Sequence, residues 1–170
     1  MDKWKGTPHW ITNSYPGGIR VRKVGLTDFD ELYRFMQRWL EDHEFTDNYS
    51  LEEKYVERKK ENGTQIEAIW NAKKEISKYF RQTIQITWLI IGMTDAEIEE
   101  NGHKRKTNKA DVDLRISAKV ETNDEEWKKY NFLKKLYFSI VARKRLSEYK
   151  TDLYVKTYEF HQAIIDLLEI

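Results

Sequence analysis

Asp111-Val112-Asp113-Leu114-Arg115-Ile116-Ser117-Ala118-Lys119-Val120 decides the fold class of this 170-residue chain. Every even position is apolar and most odd positions are charged, and side chains on a strand point alternately to opposite faces. One face of this strand is therefore covered and the other is wet, which is the habit of antiparallel sheets. Upstream, Ile84, Ile86, Trp88 and Ile90 alternate with Thr83, Gln85 and Thr87 in the same way. Asn62-Gly63 predicts a tight turn joining a strand over Leu51–Lys60 to one over Gln65–Ile76, because a type I′ turn needs positive φ at both central residues. A second Asn-Gly, Asn101-Gly102, predicts a short polar hairpin between Ala96–Glu100 and His103–Lys106.

On either side of this strand region the period becomes helical. Phe29, Leu32, Tyr33, Met36, Trp39 and Leu40 form one stripe after Thr27-Asp28, so a core-facing helix is expected over Asp28–Asp42. After Asn123-Asp124-Glu125-Glu126, the stripe Leu133, Leu136, Tyr137, Ile140 and Val141 predicts a helix ending near Arg145. A second helix is expected over Ser147–Leu168, with one stripe through Tyr149, Leu153, Phe160, Ala163 and Leu167. A neighbouring stripe runs through Tyr154, Tyr158, Ile165 and Leu168. An arc that wide contacts something on two sides.

Residues 1–18, with Trp4, Trp10, Tyr15 and Pro16-Gly17-Gly18, read as an irregular aromatic arm. A short strand follows through Ile19, Val21 and Val24. The expectation is one α+β domain over residues 1–170. Its sheet is a mainly antiparallel meander of four to six strands, covered by an N-terminal helix and two C-terminal helices.

Composition excludes several chemistries. The chain has no cysteine, so it has no disulfide framework, thiolate nucleophile or Cys-ligated metal. Its longest apolar run, Trp88-Leu89-Ile90-Ile91-Gly92-Met93, is far short of the roughly 20 residues of a membrane span. The opening residues carry no secretory apolar core, so a soluble, cytoplasmic protein is expected. No P-loop, dinucleotide fingerprint or nucleophile elbow occurs. His9, His43, His103 and His161 are scattered. His43 with Asp47 is the one spacing that would suit a metal, and a solvated helix end explains it as well. Asp111 with Asp113, and Glu97 with Glu99, sit on expected wet faces and read as solvated charges. No catalytic, cofactor or metal residue is assigned, and the chain is expected not to be an enzyme.

Charge layout says more. Nine acidic residues against Arg34 and Arg38 lie between Asp28 and Glu53, whereas eight basic residues against Glu148 lie between Lys128 and Lys150. The formal net charge of +1 thus hides two segments of opposite sign. The acidic and basic segments either neighbour each other inside the fold or meet between molecules, head to tail. The third reading is a phosphate-binding surface of Lys104, Arg105 and Lys106 on the hairpin with Arg143, Lys144 and Arg145 on the helix.

Two stretches, Gly92–Val120 and Trp127–Leu168 (the latter opening WKKYNFLKKLYFSIVARKRLSEY), resemble a group of uncharacterised α+β proteins from small-genome archaea. That resemblance implies a fold and carries no activity. The order of elements is also similar to helix-grip (START-like) domains, which implies an apolar ligand cavity between sheet and last helix. The extra helix expected over Asp124–Arg145 departs from that pattern. The function expected first is a non-enzymatic protein–protein interaction or self-assembly module, with Tyr154, Tyr158, Ile165 and Leu168 as partner contacts. The alternatives are a carrier of an apolar ligand, lined by Ile84, Ile86, Trp88, Leu114 and Ile116, and a nucleic-acid-binding protein.

Overall fold

The computed structural model describes Trp4 and residues 6–12, 17–45 and 51–170. The strands are β1 (Gly6–Trp10), β2 (Ile19–Thr27), β3 (Glu52–Lys60), β4 (Gly63–Ser77), β5 (Phe80–Glu100) and β6 (His103–Asn123). Helix α1 (Phe29–Asp42) follows β2, and α2 (Asp124–Lys128) and α3 (Phe132–Leu168) follow β6. All pairings are antiparallel. Strands β3, β4, β5 and β6 form a meander, and the far edge of β6 is shared by β1 and β2. The expected α+β fold with N- and C-terminal helices is what forms.

Strands β5 and β6 have 21 residues each, so at about 3.4 Å per residue they run to about 70 Å. The two expected strands and the short polar hairpin are one long ribbon, turned at Asn101-Gly102 with φ of 52° and 78°. At Asn62-Gly63 the turn differs from the type I′ expectation: only Gly63 has positive φ, 114°, and it already pairs with Lys60. Gly63 also meets the β-bulge of β5. A Cβ there would lie 2.7 Å from the carbonyl carbon of Gly92, whose own φ is 64°. The register of the β5–β6 ribbon shifts between Ile91 and Thr94, and a bulge bends a strand locally. Beyond it the ribbon forms an arm that reaches α1, where Arg105 meets Asp28 and Glu31.

Helix α1 starts one residue later than expected because Asp28 is its N-cap, with Oδ1 accepting the Glu31 N–H at 3.0 Å. Its inner face buries Leu32, Met36 and Leu40. Tyr33 meets Trp70 edge-on at 4.7 Å, Trp70 lies 4.9 Å from Trp88, and Trp39 packs on Phe160 of α3 at 4.6 Å. Ile84, Ile86, Trp88, Leu114 and Ile116 are each at most 1% exposed. These rings pack the space between sheet and helices, so the five residues that the alternative carrier reading places around a ligand lie in packed core among the described residues.

The C-terminal helices divide elsewhere than expected. Arg145-Leu146-Ser147 contains neither Gly nor Pro, and helix runs straight through it. The break falls at 129–131, where Asn131 Oδ1 accepts the Lys134 N–H at 3.0 Å and caps α3. The helix then continues for 37 residues, about 55 Å at 1.5 Å per residue.

The N-terminal arm is not irregular throughout, since Gly6–Trp10 pairs with the end of β6 as β1. Tyr15 and Pro16 lie outside the described residues. The outer face of the sheet is also less wet than expected. Glu121 is salt-bridged to Arg81 and Lys119 at 2.8 Å each and accepts from the Thr83 hydroxyl at 3.0 Å. Trp4 lies over Arg81, and Trp10 over Lys119. Burial by itself would raise the Glu121 pKa, but the Lys119 ammonium and the Arg81 guanidinium outweigh it and hold the carboxyl below its usual value. Asp113 and Asp111 are taken up by forked contacts from Arg20 and Arg22 on β2, as close as 2.6 and 2.7 Å, so they are paired across strands rather than solvated.

Candidate interaction surface

Helix α3 has two unlike halves. From Leu153 onward, Leu153, Thr157, Phe160, Ile164 and Leu168 are buried against the sheet and α1. From Phe132 to Glu148 no residue is buried. Phe138 is the inward anchor of that first half, packing on Tyr130 at 5.1 Å and on Trp127 at 6.1 Å. Trp127 in turn rests on Tyr79 at 4.8 Å and on Phe80 at 6.2 Å. The opposite side is bare: Phe132, Leu133, Leu136, Tyr137 and Ile140 are 56–79% exposed. Four residues of the stripe expected on the first of the two C-terminal helices, Leu133, Leu136, Tyr137 and Ile140, are thus uncovered.

The residues expected to touch a partner are divided. Tyr154 and Tyr158 are 48% and 42% exposed, with ring centroids 4.6 Å apart. Ile165 is half-buried, and Leu168 is 3% exposed and belongs to the core. At 100° per residue Leu133, Ile140, Tyr154 and Tyr158 fall on one side of α3, so the bare face of the first half continues past the two tyrosines.

The six basic residues expected to bind phosphate do not form one site. Arg105 is held by Asp28, Glu31 and Glu100 at 3.1, 3.3 and 3.7 Å. The hydrogen bond to Asp28 raises its pKa further. Lys104 lies 3.9 Å from Glu97. Arg143, Lys144 and Arg145 are exposed on α3, about 30 Å along the helix from the end that the arm approaches. Together with Lys134 and Lys135 they form five cations with no carboxylate partner among the described residues.

At the other end of the molecule two clefts open side by side. One, of about 940 Å³, lies between α1 and the arm and includes Asp30, Arg34, Arg38, Asp95, Glu97 and Lys106. The second, of about 550 Å³, lies between the arm and the end of α3, and includes Lys23, Thr27, Glu99, Glu100, Asp166 and Glu169. Both are lined by Asp28, Glu31, Thr107 and Leu167. Nine carboxylates face five cations across the pair, and the C-terminal end of α3 adds its own negative partial charge. Periodicity gives no signal for this assembly, since its members come from five elements.

The remaining candidates have local roles. His43 Nδ1 lies 2.7 Å from the Trp39 carbonyl and its ring stacks on Trp39 at 3.7 Å, while Asp47 lies outside the described residues. His161 is half-buried, and that burial lowers its pKa. Among the described residues no three His, Asp or Glu side chains gather as a metal site, and no helix is long and apolar enough to cross a membrane. No known protein family, curated protein or solved structure matches the chain.

Proposed function

We propose that the protein is a non-enzymatic protein–protein interaction module, with self-assembly as its simplest mode. Its contact surface is the outer face of the first half of α3. One observation carries this reading: Phe132, Leu133, Leu136, Tyr137 and Ile140 are contiguous and more than half exposed on a helix whose other half is packed. Soluble monomers rarely expose apolar patches beyond a few hundred Å², and five side chains of this size reach that range. A second face of the helix, toward Phe138, already holds it in place, so the bare stripe is free for a partner.

The test is native mass by light scattering at tens of micromolar. An assembling wild type should exceed 20.6 kDa, and Leu136→Asp/Ile140→Asp should return it to that mass. A wild type monomeric in low salt overturns self-assembly. A nucleic-acid reading is favoured by the unpaired Arg143, Lys144 and Arg145; it requires duplex or single-strand binding that falls steeply with salt, and it leaves the apolar stripe without a role.

A further inference from the structure

We infer that the outer face of α3 docks into the paired acidic clefts of a second copy, so that molecules join head to tail. The inference rests on the self-assembly reading and names the surface that receives the helix. Three observations support it, and the first is charge. Between Trp127 and Ser147 the chain carries seven basic residues and no acidic one. The clefts hold nine carboxylates against five cations. The excess is four carboxylates; Arg105 is engaged by three of the nine, and Lys23 by the Leu168 carbonyl at 2.6 Å. Pairing two α3 first halves would instead oppose like charges, whereas the clefts present the opposite sign.

The second observation is chemical match. The clefts are not purely polar: Phe35 and Leu167 line the larger, and Leu26 and Ile98 the smaller. An apolar floor between carboxylates suits a helix that presents Leu133, Leu136 and Ile140 flanked by Lys134, Arg143 and Lys144. Thr27 points the same way. It is 5% exposed and lines the smaller cleft, and its Oγ1 has no hydrogen-bond partner. A buried hydroxyl without a partner is costly, and an incoming polar side chain would relieve it.

The third observation is position. Tyr137 and Leu167 lie thirty residues apart on one continuous helix, about 45 Å. No chain can place its own first half into its own clefts. A contact between unlike surfaces repeats until it closes as a ring or continues as a filament.

Two interface variants, mixed, test this. The first carries Leu136→Asp/Ile140→Asp and has lost the helix face. The second carries Asp30→Lys/Glu97→Lys and has lost the acidic excess of the clefts, with seven carboxylates left against seven cations; Glu97→Lys/Glu99→Lys repeats it with α1 untouched. Each alone should be monomeric, with association weakened about 100-fold or more by like-charge contacts in the second. Mixed one to one, each retains what the other lacks, so a species of twice 20.6 kDa, and nothing larger, should form. Wild type should grow with concentration and shrink with salt. A cleft variant that assembles like wild type while the helix variant does not overturns the head-to-tail contact and leaves the α3 face as a self-pairing surface. A wild type that stays monomeric in low salt overturns both the head-to-tail contact and self-assembly, whether or not it sediments with phosphatidylserine vesicles or binds a DNA duplex.

Discussion

The two halves of α3 have the same kind of sequence and opposite fates. Leu133, Leu136, Tyr137 and Ile140 recur at helical spacing as regularly as Leu153, Phe160, Ile164 and Leu168 do. Yet the first set is exposed and the second buried. Periodicity states that a helix has an apolar side; what covers that side is decided by where the sheet and α1 end. Here α1 meets α3 at Trp39 and Phe160, whereas residues 132–148 are held only by partly buried contacts such as Phe138 on Trp127 and Tyr130 among the described residues.

The largest expected effect separates the halves directly. Phe160→Ala should cost about 3–5 kcal/mol of unfolding free energy, by lost transfer energy and a cavity beside Trp39. Ile140→Ala should stay within about 0.5 kcal/mol. Urea unfolding of the two variants below the association range measures both. Equal losses would mean that the first half is covered in the monomer and that its bare face is wrong.

Hydrogen exchange sharpens the same contrast. Amides over 135–146 sit in helix without a buried side chain and should open at markedly lower free energy than those over 153–165, by about 2 kcal/mol or more. If the first half is an interface, the difference should shrink as protein concentration rises, and in Leu136→Asp/Ile140→Asp it should not shrink. Uniform protection at high dilution would remove the distinction.

Much of the fold was legible in the sequence, for local reasons. Alternation through Val112–Val120 and Ile84–Ile90 reports a one-sided sheet, and Asp28 reports a helix start because its carboxylate caps a backbone N–H three residues on. What was not legible is non-local. The stretch Arg145-Leu146-Ser147 looked like a junction, yet a helix stops only where its backbone is interrupted or capped, and Asn131 does that sixteen residues before Ser147. Leu168 shares a stripe with Tyr158 but lies where α3 is still over the sheet, so it is buried. Arg105 looked available for phosphate on a polar hairpin. The bulge near Gly92 carries that hairpin back to Asp28 and Glu31, and no spacing in the sequence announces the return.

The smallest effect is expected where the halves meet. Gln82 on β5 donates from Nε2 to the Tyr149 carbonyl at 3.1 Å and to Asp152 Oδ2 at 3.0 Å, which clamps α3 at the point where it leaves the sheet. Burial alone would raise the Asp152 pKa, but the Gln82 amide and the Lys156 ammonium, 3.1 Å away, outweigh it and leave the carboxyl lower than usual. The unfolded chain then binds this proton more readily than the folded one, so the stabilisation is complete above the ordinary aspartate value and is lost as pH falls through the lower, folded value. Gln82→Leu, which removes both hydrogen bonds, should cost about 1 kcal/mol and speed exchange over 146–152 more than over 157–165. Asp152→Asn should flatten the acid limb of that exchange profile: its loss of protection should be present at pH 7 and vanish at low pH, where the wild-type carboxyl is itself protonated. If exchange near Tyr149 proves indifferent to both substitutions, the helix is fixed at that point by Phe80 and Tyr149, 5.3 Å apart, and the boundary between the packed and the bare half is set by rings rather than by the clamp.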